Sequence, residues 1–207
     1  PIPIRWFTPT LEVNLCGHAT MASAKILFEH FPDIAGSEIS FSSKSGILKV
    51  SKNAEDICLN FPADDPEPQK MDALFAEALG ESPIEILKGT DDFLAVFENE
   101  QQIQAMNPDF TKLAKINSRG VVISAPGNDV DFVSRCFFPQ TGIDEDPVTG
   151  SAHTMLIPYW AKQFDKIQFK AHQLSARGGV LDCKLINDRV LISGKSIIYF
   201  EGMISIN

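Results

Sequence analysis

The chain has 207 residues, 44% of them apolar, and a formal net charge of −9. That length builds one large domain or two small ones around a proper core, and the negative field argues against nonspecific binding to nucleic acid or anionic membrane. No run approaches the roughly 20 apolar residues of a membrane helix and residues 1–10 lack the basic head of a signal peptide, so a cytoplasmic protein with no nucleic-acid or membrane partner is expected.

In chain order, Ile4 to Phe7 reads as a strand, and Ala19 to Phe31 as a helix whose first half is small (Ala19, Ala22, Ser23, Ala24). A helix with so little charge should be buried nearly all round, its small residues letting sheet backbones come close. Ile39 to Phe41, Gly46 to Ser51 and Asp56 to Phe61 are short strands, reversing near Gly46 and near Lys52 and Asn53. Pro62 to Gln69 is a loop, Met71 to Leu79 a helix closed by Gly80, and Ser82 to Lys88 a linker. Phe93 to Glu98 alternates as a strand, Asn107 to Ile116 is a short helix capped near Asn107 with Pro108 at its first position, and Gly120 to Ser124 and Val130 to Phe137 are strands. Ser151 to Phe164 is a helix bent at Pro158. Ile167 to Ala171, Val180 to Ile186, Arg189 to Ser193 and Ile197 to Ile206 are strands, with turns at Gly178 and Gly179 and at Asn187 and Asp188.

Loop, glycine, apolar helix and several strands thus occur twice, about 130 residues apart, which is a supersecondary repeat. The expected fold class is α+β, with two similar halves, each a mostly antiparallel barrel-like sheet around a central helix. The halves are 1–84 and 85–207, the last strand packing back on the first half. Their helices open on L-C-G-H-A-T (Leu15 to Thr20) and E-D-P-V-T-G-S-A-H (Glu145 to His153). A helix N-terminus offers unpaired N–H groups and a partial positive charge, so two of them brought together make a site for a small carboxylate. His18 titrates near neutrality and can donate or accept a proton. Asp146 can orient it or a substrate amine, and Ser151 can hydrogen-bond a carboxylate. Bland alternatives stand beside these roles: His18 as a cap, Asp146 as a turn acid before Pro147, Ser151 as an N-cap, His153 as a structural residue of the helix.

The runs E-V-N-L-C-G-H-A-T at Glu12 to Thr20 and E-D-P-V-T-G-S-A at Glu145 to Ala152, joined by L-K-G-T-D-D-F at Leu87 to Phe93, resemble the PhzF-like phenazine biosynthesis family. That family shares the fold of diaminopimelate epimerase. The resemblance implies cofactor-independent isomerisation or epimerisation of a small carboxylate-bearing molecule by proton transfer at carbon, with His18, Asp146 and Ser151 catalytic. Gly17, Ala19, Thr149 and Gly150 would bind substrate through the two loops, no metal or other cofactor would be needed, and a homodimer is expected.

The chain departs from the family pattern in one respect. The family's principal base is a glutamate in an N-S-E-T-A-F-like segment ahead of the first shared strand, and no such segment occurs here. The expectation is that it lies before Pro1, which leaves the first half incomplete at its N-terminus. The competing reading is a catalytically silent binding or interaction protein of the same fold. Cys16, Cys58, Cys136 and Cys183 form no C-x-x-C pair, and Cys58 and Cys183 read as inward-facing core thiols. Cys16, beside a helix N-terminus, suggests a thiol-dependent racemase, but Thr149 stands where the second thiol would be expected.

Overall fold

The computed structural model describes residues 1–8, 12–53, 56–203 and 205. The first part of the chain contains β1 (Ile2–Pro3), β2 (Trp6–Phe7), β3 (Glu12–Val13), α1 (Gly17–His30), α2 (Pro32–Ala35), β4 (Glu38–Ser43), β5 (Gly46–Asn53), β6 (Asp56–Pro62) and β7 (Glu67–Pro68). Then come α3 (Ala73–Leu79), β8 (Glu85–Lys88), β9 (Asp92–Val96), α4 (Glu100–Ala105), α5 (Phe110–Leu113), β10 (Gly120–Pro126) and β11 (Phe132–Phe137). The last elements are α6 (Gly150–Phe164), β12 (Gln168–Gln173), β13 (Gly179–Ile186) and β14 (Arg189–Lys195).

Twelve strands form one sheet in the order β1-β4-β5-β6-β14-β13-β12-β11-β10-β9-β8-β7, with β2 and β3 paired apart from it. Only β1 with β4, β9 with β10 and β11 with β12 run parallel, so the sheet is mostly antiparallel, as expected of this α+β fold. The pairing of β14 with β6 joins the end of the chain to its early strands. One hydrophobic core lies where α1 and α6 meet this sheet, around Phe28, Phe41, Leu59, Phe132, Leu156 and Trp160. A second fills the other face of β8 to β11, where Phe75, Phe97, Ile123 and Phe137 pack with α3, α4 and α5. Burial on both faces explains why Gly120 to Ala125 is buried at every position and carries one polar side chain, Ser124.

α6 is the central element: every residue from Gly150 to Trp160 is buried. Trp160 stacks on Phe132, 5.7 Å between centroids, and its indole N–H donates to Ser124 Oγ at 3.0 Å, so its one polar atom is satisfied. α1 differs from the expectation. Gly17, Thr20, Ala24, Lys25 and Phe28 are buried, Gly17 against Gly150 of α6, yet Ile26 is 40% exposed. The main strand neighbours of α1 are β5 and β6.

Five further readings are corrected. The expected linker holds β8, whose Ile86 and Leu87 are both buried between β7 and β9. The helix expected from Asn107 is four residues long and is capped by Asp109, whose carboxylate accepts from Lys112 N. A helix went unread at Glu100–Ala105, although its capping box, Asn99 with Gln102, is plain in the sequence. Residues 197–203 and 205 form no strand. Cys183 is buried, but Cys58 is only half-buried, because the larger Ile57, Leu59 and Phe61 take the inward positions of β6. The Gly46 reversal is present, with φ +89° at that glycine, and the one after Asn53 falls on residues 54–55, outside the described residues.

Candidate active site

α1 and α6 begin almost in contact. A Cβ on Gly17 would stand 2.8 Å from Gly150 Cα, and one on Gly150 would stand 3.0 Å from Gly17 Cα. Only two glycines permit this approach, which explains why each motif carries one at its first helical position. The first turns of a 14-residue and a 15-residue helix therefore present their unpaired N–H groups side by side. A cavity of about 430 Å³ opens at this junction.

The cavity is lined by Gly17, His18 and Ala19 from α1 and by Asp146, Thr149, Gly150 and Ser151 from the second motif. The seven residues given catalytic or binding roles from the sequence thus all line one cavity. Ile4, Trp6, Val13, Leu15 and Phe138 supply apolar walls. The lining thus mixes polar groups at the helix termini with apolar side chains, as small-molecule sites do.

His18 stands on the first turn of α1, with Cys16 Sγ 3.6 Å from Nε2 and 3.8 Å from Nδ1, so the sulfur faces the ring edge rather than one nitrogen. Cys16 is the chief cause of a His18 pKa raised to about 8; burial opposes it, and the negative field of Asp146 and the Val148 backbone add to it. The imidazole is accordingly a cation at neutral pH, poised to give a proton. Removing the thiol with Cys16→Ala should move His18 back toward 6.5, read from the pH titration of its ring resonances; an unchanged value would show that Asp146 and Val148 dominate.

The second motif is held from behind by Gln173, which is fully buried at the end of β12. Its Oε1 accepts from Thr149 N at 2.7 Å, and its Nε2 donates to Asp146 O at 2.7 Å and to Thr149 Oγ1 at 3.2 Å. Thr149 Oγ1 in turn donates to the Asp146 carboxylate. Gln173→Leu strands buried polar groups and should cost roughly 3 kcal/mol in urea unfolding. A loss within 0.5 kcal/mol would mean that the loop holds itself.

Two polar groups near the site escaped the sequence reading. Gln173 could have been found as a polar residue at an inward position of an alternating strand, after Phe169 and Ala171. Arg119 lines the cavity and carried no pattern to mark it. It is held bidentately by Asp92 of the L-K-G-T-D-D-F run, Nε at 2.8 Å from Oδ1 with Nη2 on Oδ2. The rest of that run is architectural: Asp64 accepts from Thr90 N and Oγ1, and a Cβ on Gly89 would meet Asp64 Oδ2 at 2.6 Å and Met155 Sδ at 2.7 Å.

Cys136 is fully buried close to Thr149, and burial pushes its thiol well up, so it stays protonated and is no base. His153 is likewise buried, its Nδ1 2.9 Å from Thr149 O and its pKa lowered to about 4 by desolvation. Unfolding raises that value toward 6.5, so the unfolded chain binds the extra proton first and stability falls as pH drops from about 6.5 to about 4. The loss should reach roughly 3 kcal/mol by pH 4, and His153→Gln should flatten it in urea titrations across that range. An unchanged slope would assign the loss to other groups. Among the described residues no cluster of His, Cys, Asp and Glu suits a metal ion, and no helix is long and apolar enough to cross a membrane.

Fold and site together define an α+β protein of the diaminopimelate epimerase-like class, with a cavity of about 430 Å³ where two helix N-termini meet. Residues 2–202 match the phenazine biosynthesis-like protein family, and the chain belongs to that family. It is 47% identical to an uncharacterized isomerase of Pseudomonas aeruginosa over 99% of this chain and 78% of that one. It is 44% identical to an uncharacterized isomerase of Halalkalibacterium halodurans, over 94% and 74%. A crystal structure of a PhzF family protein from Enterococcus faecalis superposes with a TM-score of 0.88 at 41% identity, covering 96% of this chain and 76% of that one. A probable proline racemase from Agrobacterium radiobacter shares the fold at a TM-score of 0.67 and 10% identity, covering 99% and 72%.

Proposed function

We propose that the protein is a cofactor-independent isomerase or epimerase of a small carboxylate-bearing molecule, working by proton transfer at carbon in the cavity between α1 and α6. The observation that carries this is His18, held as an acid on the first turn of α1 beside the N-terminus of α6. In the proposed reaction the substrate carboxylate lies on Ser151 and the first N–H groups of α6. The C–H bond next to an activating group breaks, its electron pair delocalises toward that group, and the helix termini stabilise the developing negative charge. His18 returns a proton to the same or a neighbouring carbon and is recharged from solvent, with Asp146 favouring its cationic form.

Abstraction of the first proton falls to the glutamate that the family resemblance implies, since among the described residues no glutamate lines the cavity. That same observation favours the second reading, a silent binding protein. Solvent deuterium uptake by a panel of small cyclic and amino carboxylates, followed by NMR and mass, separates the two. Uptake dependent on the protein supports the isomerase, and carboxylate binding without uptake supports the silent reading.

A further inference from the structure

Arg119 has no part in the reaction as drawn, yet it is the most firmly placed cation at the cavity. Its side chain is 20% exposed and its partner Asp92 is 5% exposed. The guanidinium lies over the Phe138 ring at 5.4 Å, and Nη2 donates to Ser151 Oγ at 3.4 Å. Asp92 takes Nε and Nη2, and Ser151 the other Nη2 proton. The two N–H groups on Nη1 have no acceptor among the described residues. Asp92, Ser151 and Phe138 thus fix the guanidinium and leave its two Nη1 protons unspent, on a residue that lines the cavity together with Ser151.

A buried ion pair is poor value for stability alone, because desolvating both charges offsets their attraction. Its place beside the N-terminus of α6 suits another task. Ser151 accepts from Arg119, which leaves the hydroxyl hydrogen free to donate, and a carboxylate can set one oxygen on that hydroxyl and the other on an Nη1 proton, a charge-assisted bond. We propose that Arg119, clamped by Asp92, is a carboxylate-recognition residue of this site and sets its preference for anions over neutral analogues. The proposal rests on the reading of the cavity as a carboxylate site.

The test is calorimetric titration of the full chain with benzoate and with the uncharged benzamide, chosen because the cavity lining is both polar and apolar. Arg119→Met leaves Asp92 buried and alone, and it can fail to fold. The deciding variant is therefore the double change Arg119→Gln with Asp92→Asn, which removes both charges and keeps a hydrogen-bonding pair. Its His18 resonance should still titrate near 8, showing an intact cavity. The expected result is benzoate binding by the parent protein at least tenfold tighter than benzamide, and loss of that preference in the double variant. A double variant that keeps the preference overturns the role of Arg119. A parent protein that binds neither probe, or both equally, overturns the carboxylate reading itself and the proposal with it.

Discussion

His18→Asn should reduce solvent deuterium uptake by about a hundred- to ten-thousand-fold, the range spanned by loss of a positioned general acid or base. Asparagine keeps a polar group of similar size on the first turn of α1, so carboxylate binding should change far less than turnover. The pH profile carries the sharper signature. His18 is protonated below about 8, so a step that needs the acid should fade as pH rises through that value. The residual activity of His18→Asn should lack this alkaline limb. Equal losses in binding and turnover, with the limb intact, would instead make His18 a packing residue at the junction.

Gly17→Ala should damage both the fold and the site. Its Cβ would lie 2.8 Å from Gly150 Cα, a collision of backbone with backbone that no rotamer change relieves. Overpacking of this kind costs about 1–3 kcal/mol, and here the only relief is to part the two helices. Parting them separates the N–H groups that the site brings together, so carboxylate affinity should fall even where the fold survives. Gly150→Ala meets Gly17 Cα at 3.0 Å and should behave alike, slightly more mildly. Thermal unfolding and benzoate titration on the same samples check both effects. An alanine variant with parental melting and affinity would show that the first turns can slide apart freely, against the rigid junction described here.

The site was legible in the sequence because its parts are local. A glycine, a polar group and the start of an apolar helix lie within six residues in each motif, so His18, Asp146 and Ser151 could be marked as cavity residues from their types and places. What was not legible depends on distant pairing. Arg119 meets Asp92 and Ser151 across 27 and 32 residues, and Gln173 reaches Thr149 across 24, so neither role shows in any window of the chain. The fold class was readable from the repeated order of loop, helix and strands. β8 was missed because a four-residue strand with Ile86 and Leu87 adjacent shows no alternation, being buried on both faces. The expected strand from Ile197 failed for the opposite reason: its apolar run fits a strand, but Tyr199 and Met203 are fully exposed in the structure, with no core to meet.

The most direct test of the central claim, that the meeting point of α1 and α6 holds a carboxylate for proton transfer by His18, is a crystal structure of the protein with benzoate. The account predicts carboxylate oxygens about 3 Å from the first N–H groups of α6 and from Ser151 Oγ, with the ring against Trp6 and Phe138. Benzoate bound elsewhere, or lying in this cavity with its ring toward the helix termini, would contradict it.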